Sequence, residues 1–231
     1  MHIHRSVIGV LLLLCSLPTA SRAFAQTVED ERAWFTFTAQ SKGTATSPWR
    51  WTLDALIRSR NGVKEVDVVA LRPYISYVLS KRSTISGGYA ISPTFPVTGG
   101  VTVEQRAFGQ FTFTSPTMGG TFSSRSRVEA RFIDGNSGPL GRLRELVRFS
   151  RPVRSGSRFS LIGYDEFLVH VNNTTRSPRG VDQNRAFVGI GDAVTSSARF
   201  EIGYLNQFSP GHRGAEDRMN HVLSGTFVLV F

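Results

Sequence analysis

From residue 33 to the C-terminus, polar and apolar residues alternate in segments separated by Gly, Pro, Asn and Ser. Between residues 125 and 132, arginine or glutamate occupies every second position, and Val128 and Phe132 are among the residues between them. Alternation with a period of two is typical of a β-strand with one polar and one apolar face. The pattern predicts strands at residues 33–41, 49–59, 66–79, 83–92, 101–114, 119–133, 141–151, 158–171, 182–192, 197–208 and 218–231.

The charges on the polar faces favour a membrane barrel over a soluble sandwich. Charges of both signs follow one another on a single face at Arg125, Arg127, Glu129 and Arg131. A membrane barrel has this pattern because lipid contacts one face of each strand while the other face lines a polar interior. The segments also match the about 9–11 residues that a tilted strand needs to cross a bilayer. We therefore expect an all-β protein, an antiparallel transmembrane β-barrel.

The sequence leaves the number of strands open between ten and twelve, because single-chain bacterial barrels have even numbers of strands. The ten segments from residue 49 onward alternate short turns with longer loops in a consistent way. Segment 33–41 is expected either to pair with one more N-terminal strand, giving twelve, or to be an extra piece at the periplasmic end. The longer connections, expected on the outer side, are 93–100, 134–140, 172–181 and 209–217.

The first 25 residues have the features of an export signal. A mildly basic start is followed by an apolar run from Val7 to Leu17, which is too short to span a membrane as a helix. Ala23-Phe24-Ala25 then supplies a small-x-small cleavage site. We predict a signal peptide over residues 1–25, a barrel over residues 26–231, and location in the bacterial outer membrane.

The last predicted strand ends at Phe231, with Leu223, Phe227 and Leu229 on the same face. It resembles the C-terminal strand of bacterial outer-membrane barrels, which typically ends in Phe and is read by the assembly machinery. The resemblance implies two partners, outer-membrane lipid and the barrel-assembly machinery, the latter through the Phe231 strand.

Composition narrows the remaining functions. The formal net charge is +10, but the basic residues are 24 Arg and 3 Lys without a block of five like charges, so nucleic acid is not expected as a partner. The one cysteine, Cys15, lies in the predicted signal peptide, and neither a cofactor nor a metal site is expected. Aromatic side chains expected at the membrane interfaces are Trp34, Trp49, Trp51, Tyr74 and Tyr89.

Several short runs resemble an uncharacterised bacterial family of predicted outer-membrane β-barrels that carries a domain-of-unknown-function label. The resemblance extends from about residue 50 to residue 231, implies barrel architecture and an outer-membrane location, and implies no activity. The runs, in order, are Gly88-Tyr89, Glu104-Gln105-Arg106, R-x-R-x-E-x-R-F at 125–132, Y-D-E-F at 164–167, D-Q-N-R at 182–185 and E-x-G-Y at 201–204.

The charged faces predict an interior lined by arginine and glutamate, for which two functions remain open. Ion-pair ladders could fill the barrel, or excess arginine could form a constriction that favours anions. We expect a narrow channel for ions or small solutes of unknown identity, with a closed structural or surface-interaction barrel as the alternative. The candidate lumen-lining and selectivity residues are Glu104, Arg106, Arg125, Arg127, Glu129, Arg131, Arg144, Arg148, Glu166, Arg185 and Glu201.

His170 is the candidate for a third function, an outer-leaflet lipid-modifying enzyme. It shares a strand face with Glu166 and Asn172, and a catalytic histidine needs such a carboxylate or amide to orient it. Ser160 is on that face as well, but it is ten residues, or about 33 Å, away along the strand. No catalytic residue is therefore predicted, and we do not expect an enzyme.

Overall fold

The computed structural model describes residues 27–43, 47–212 and 214–231, so the predicted signal peptide lies outside the described residues. Within those ranges, no helix is long and apolar enough to cross a membrane. The strands are β1 Thr27–Gln40, β2 Trp49–Arg60, β3 Glu65–Val78, β4 Ser83–Thr94, β5 Thr102–Thr117, β6 Gly120–Ile133, β7 Leu140–Pro152, β8 Phe159–His170, β9 Gly180–Asp192, β10 Ala198–Ser209 and β11 Asp217–Val230.

These eleven strands form one closed barrel, so the prediction of ten or twelve strands is wrong. Neighbours along the chain pair antiparallel, whereas β1 and β11 pair parallel from Thr27↔Asp217 to Gln40↔Val230. With an odd number of alternating strands, the first and the last point the same way, and the barrel can close only through a parallel pair. The segment predicted at 33–41 is neither an extra periplasmic piece nor one of two added strands. It is the strand that completes the wall.

The two ends of the barrel differ in their connections. At the short-turn end, where β11 finishes, the chain connects strands through 79–82, 118–119, 153–158 and 193–197, and also through the longer segment 41–48. The tightest turn has positive φ at both of its residues, 50° at Met118 and 70° at Gly119, which suits the twist of a two-residue hairpin. The long-loop end carries 61–64, 95–101, 134–139, 171–179 and 210–216.

The strand faces separate the barrel into an apolar outside and a polar inside. In β6, Val128 is 56% exposed on the outer surface, while its neighbours Arg127 and Glu129 are 3% and 4% exposed on the inner wall. Exposed Trp49, Trp51 and Tyr89 lie on the outer surface. Trp34 and Tyr74 instead face inward, because they share their strand faces with polar interior residues, and their predicted interfacial positions are wrong.

One sector of the inner wall is apolar. Trp34 from β1 packs in a buried cluster with side chains from β8 to β11, and Tyr164 packs against it. Gly189 and Gly203 are cross-strand partners beside this cluster, and a Cβ on either would meet the ring of Phe187. These glycines therefore leave the space that the inward-facing ring fills. The buried cluster comprises Trp34, Ile162, Phe187, Leu205 and Val222.

Candidate functional site: the charged barrel interior

The centre of the interior is an arginine–glutamate network, defined here as Glu129, Arg142, Arg144 and Glu166. Arg144 donates from Nη1 to Oε1 of Glu129 at 2.9 Å and from Nη2 to Oε1 of Glu166 at 2.6 Å. Arg142 donates from Nε to Oε2 of Glu129 at 2.7 Å. All four side chains are buried, and each is inward because it lies on the polar face of its strand. Charge-assisted bonds of this length are among the stronger protein hydrogen bonds.

Glu166 connects the network to two further arginines. Besides Arg144, it pairs with Arg125 of β6 at 2.5 Å and with Arg185 of β9 at 3.2 Å. Since β6 and β8 are not adjacent in the sheet, the pair with Arg125 extends across β7. One carboxylate thus holds arginines from three different strands, which keeps these buried cations near a countercharge.

The other predicted interior residues join smaller ion-pair groups. Glu104 accepts from Arg106 and from Arg131 at 2.5 Å and 2.7 Å. Arg148 of β7 reaches Glu201 of β10 at 2.7 Å, an ion pair that spans two intervening strands. Arg127 donates to Gln110 and lies 4.3 Å over the ring of Phe108. All the residues that the sequence assigned to the interior are on the inner wall.

Several interior residues were missed by the sequence analysis. Arg72 donates to Asp54 at 2.7 Å, and Arg142 bridges from the network to Asp182 at 2.9 Å. Both arginines lie on the same strand faces as other inward residues, so strand alternation alone could have found them. Arg58 is also inward, as the cross-strand partner of Trp34. The inward position of Arg58 was not predicted, because its partner Trp34 was expected at the membrane interface.

Two cavities enter the barrel from opposite ends. The outer cavity, of about 580 Å³, lies toward the long-loop end and is lined by loop residues such as Ser177 and His212 together with charged side chains. The inner cavity, of about 560 Å³, lies toward the short-turn end and is rich in hydroxyls, including Ser86, Thr112 and Thr226. The side chains that line both cavities, called the waist here, are Trp34, Leu56, Arg58, Arg72, Arg144 and Arg185.

His170 is buried beside the outer cavity, with partners other than those predicted. Its Nε2 is 3.3 Å from Oδ2 of Asp182 and 3.1 Å from Nη1 of Arg131. Glu166 is instead held by the arginines of the network, and Asn172 bonds to backbone groups of the 134–139 loop and of the start of β7. The described residues contain no group of three or more His, Cys, Asp or Glu side chains that could hold a metal ion.

The outer surface carries a few polar pairs among its apolar side chains. Ser126 donates to Glu145 at 2.5 Å, and the amide of Asn184 donates to both carboxylate oxygens of Asp165 at 2.9 Å and 3.0 Å. Both carboxylates, Glu145 and Asp165, are exposed, and among the described residues neither has a cationic partner. The outward carboxylates are therefore in a very different setting from Glu129 and Glu166.

Comparison with known proteins gives one family and one relative. Residues 31–220 match the family described as a protein of unknown function, DUF2490. An uncharacterised protein of Methylorubrum extorquens is 28% identical over 218 residues, covering 93% of this chain and 94% of that protein. No solved structure matches the chain. Because the family match covers most of the sequence, the chain belongs to the DUF2490 family.

Proposed function

We propose that this protein is a narrow outer-membrane channel that favours anions. The observation that carries the proposal is the waist. Cavities from the two ends of the barrel share it, and four of its six side chains are arginines. A constriction lined by cations lowers the energy of a passing anion and raises that of a cation. The proposed solutes are small inorganic or organic anions.

The charge of the interior supports anion preference. Three carboxylates, Glu104, Glu129 and Glu166, pair with seven different arginines, so cations outnumber carboxylates in this part of the inner wall. These arginines are Arg106, Arg125, Arg127, Arg131, Arg142, Arg144 and Arg185. Fixed charges in a narrow lumen act at short range and are weakly screened, so they affect ions more strongly than surface charges do.

The outer surface supports membrane insertion. Apolar side chains are exposed around the barrel, and an aromatic group lies near the short-turn end. There Trp49 packs edge-on against Tyr77, and Trp51 against Phe231, with ring centroids 4.9 Å apart in each pair. Aromatic girdles of this kind mark the interfaces of transmembrane barrels. We place the short-turn end in the periplasm, with the Phe231 strand available to the assembly machinery.

The test is single-channel current through the mature chain, residues 26–231, refolded and inserted into a planar bilayer. Folding is first verified by the heat-dependent shift in gel mobility. Under a KCl gradient, we expect discrete current steps and a reversal potential that indicates preference for chloride. A folded barrel without current, or one that prefers potassium, would contradict the proposal.

A matched pair of variants links the current to the waist. Arg72→Gln removes a waist cation and should shift the reversal potential toward that of a non-selective pore. Arg151→Gln removes an exposed arginine from the outer face near the short-turn end and should leave it unchanged. Equal shifts in both variants would assign selectivity to overall charge instead of to the waist.

The arginine–glutamate network favours a second candidate, a closed structural barrel. Its buried carboxylates and guanidinium groups bond to one another across β6 to β8, and Arg185 extends these bonds to β9. A closed barrel predicts a folded, heat-resistant protein that is silent in the bilayer before and after any neutralisation. The same current measurement therefore decides between the two.

A further inference from the structure

Arg58 differs from the other arginines of the waist. It is the cross-strand partner of Trp34, and its guanidinium carbon lies 4.0 Å from the centroid of the indole ring. Arg185 lies over the same ring at 5.3 Å. The side chain of Arg58 lines both cavities, so a solute can approach it from either end of the barrel.

The other waist arginines all have a carboxylate. Arg72 pairs with Asp54, Arg144 with two glutamates of the network, and Arg185 with Glu166. Among the described residues, Arg58 has no carboxylate within ion-pair distance and no hydrogen-bond partner. The other charged side chains that line both cavities with it are the arginines Arg72, Arg144 and Arg185.

A cation in this position needs a countercharge. Placing an ionised group in a confined interior is unfavourable unless it is paired or hydrated, and the three other arginines of the waist add repulsion. Stacking on Trp34 offsets part of this through the cation–π interaction, but it leaves the N–H donors at the edge of the guanidinium plane unused. A mobile anion in the cavity satisfies both the charge and the donors.

We infer that Arg58, held against Trp34, is the centre of an oxyanion-binding site at the waist. The planar guanidinium presents parallel N–H groups that match two oxygens of a phosphate or carboxylate, a geometry that chloride cannot use. The role of this site in transport rests on the proposed channel function. Binding itself does not require current and can be measured separately.

The fluorescence of Trp34 can be used to measure anion binding at this site. The sequence has three tryptophans, so Trp49→Phe and Trp51→Phe together leave Trp34 as the one emitting indole, in contact with Arg58. In the refolded full mature chain, we expect inorganic phosphate to change its emission saturably, at constant ionic strength. Chloride at the same concentrations should give a response that is weaker by about tenfold.

Three variants in this background test the assignment. Arg58→Gln should weaken phosphate binding by about tenfold or more, and it should fold because it removes an unpaired charge. Arg58→Lys keeps the charge but lacks the parallel N–H groups of the guanidinium, so it should lose the preference for phosphate over chloride. Arg154→Gln, in the exposed 153–158 turn, is the control and should bind as the parent does.

Each result decides something different. An unchanged phosphate response in Arg58→Gln, or equal responses to phosphate and chloride in the parent, would overturn the oxyanion site. Saturable binding in a barrel that carries no current would leave the site in place and contradict the channel. Anion-selective current without any change in Trp34 emission would support the channel and overturn the oxyanion site.

Discussion

A carboxylate has different surroundings on the inner and outer faces of the barrel, as the neighbours Asp165 and Glu166 in β8 illustrate. Glu166 points inward, is 3% exposed and pairs with three arginines. Asp165 points outward, is exposed and accepts two hydrogen bonds from the amide of Asn184. The interior thus concentrates charge and countercharge, whereas Asp165 on the outer surface has no cationic partner among the described residues. A carboxylate therefore contributes to stability according to the face that it occupies.

Neutralising the inward carboxylate, Glu166, should have the largest effect on the free energy of unfolding. Among the described residues, Glu166→Gln leaves Arg125 and Arg185 without a carboxylate within ion-pair distance and removes one of the two that hold Arg144. Uncompensated buried charge is strongly destabilising. We expect a loss of about 3–5 kcal/mol in the free energy of unfolding. Urea unfolding of the refolded barrel in lipid vesicles, followed by tryptophan fluorescence, measures it.

Glu145→Gln is the control for that experiment, because Glu145 lies on the outer face of the adjacent strand β7, bonds to Ser126 and has no cationic partner among the described residues. It should unfold at nearly the parent urea concentration. Equal destabilisation by the two variants would show that the network does not carry the stability assigned to it.

Glycines on the two faces should respond in opposite directions to the same added methyl group. A Cβ on inward-facing Gly203 would meet the backbone of Val188 and the ring of Phe187, and the backbone cannot move aside cheaply. We expect Gly203→Ala to cost about 1–3 kcal/mol in the same unfolding assay. On the outer face, a Cβ on Gly109 would make an ordinary 3.6 Å contact with Val128, so Gly109→Ala should stabilise by about 0.5 kcal/mol. If both substitutions lowered the free energy of unfolding, or both raised it, the expected difference between the inner and outer faces would be contradicted.

Strand alternation made most of this architecture predictable, but not its closure. The alternation in 125–132 identified both the inner face of β6 and its arginines, because sheet geometry fixes which residues share a face. The predicted number of strands was wrong because of β1. Its outward Phe35 and Phe37 and its inward Trp34 and Thr36 are all compatible with strand, and no local signal tells whether such a strand pairs antiparallel or parallel with β11.

The candidate site was predictable in its residue types but not in its pairings. Among the described residues, Arg144 pairs with two glutamates and Arg58 with none, and this difference depends on the register between strands, which a single sequence does not contain. The waist emerges only when β1 and β2 are placed opposite β7 and β9 across the lumen. Trp34 was assigned to the interface because tryptophan near a strand end is common there.

The same substitution at two waist arginines should separate paired from unpaired charge. Arg144→Gln leaves Glu129 and Glu166 with one partner fewer each, and we expect a loss of about 2 kcal/mol in unfolding free energy. Arg58→Gln removes a cation that stacks on Trp34 and has no carboxylate within ion-pair distance among the described residues, so stability should stay within about 0.5 kcal/mol of the parent. A larger loss for Arg58→Gln than for Arg144→Gln would mean that stacking on Trp34 outweighs the ion pairs.

The smallest effect is expected at Asp165, and its sign is informative. If the outer surface contacts lipid, a carboxylate there is unfavourable, and Asp165→Asn should raise the unfolding free energy in vesicles by about 0.5 kcal/mol or leave it unchanged. In detergent-free water a soluble barrel would show no such gain, because an exposed carboxylate is well hydrated. Unfolding in bilayers of two hydrocarbon thicknesses sharpens the measurement, since a thicker bilayer places Asp165 deeper and should increase the stabilisation. A loss of stability on neutralising Asp165 that is as large as the loss at Glu166 would remove the distinction between the two faces of β8.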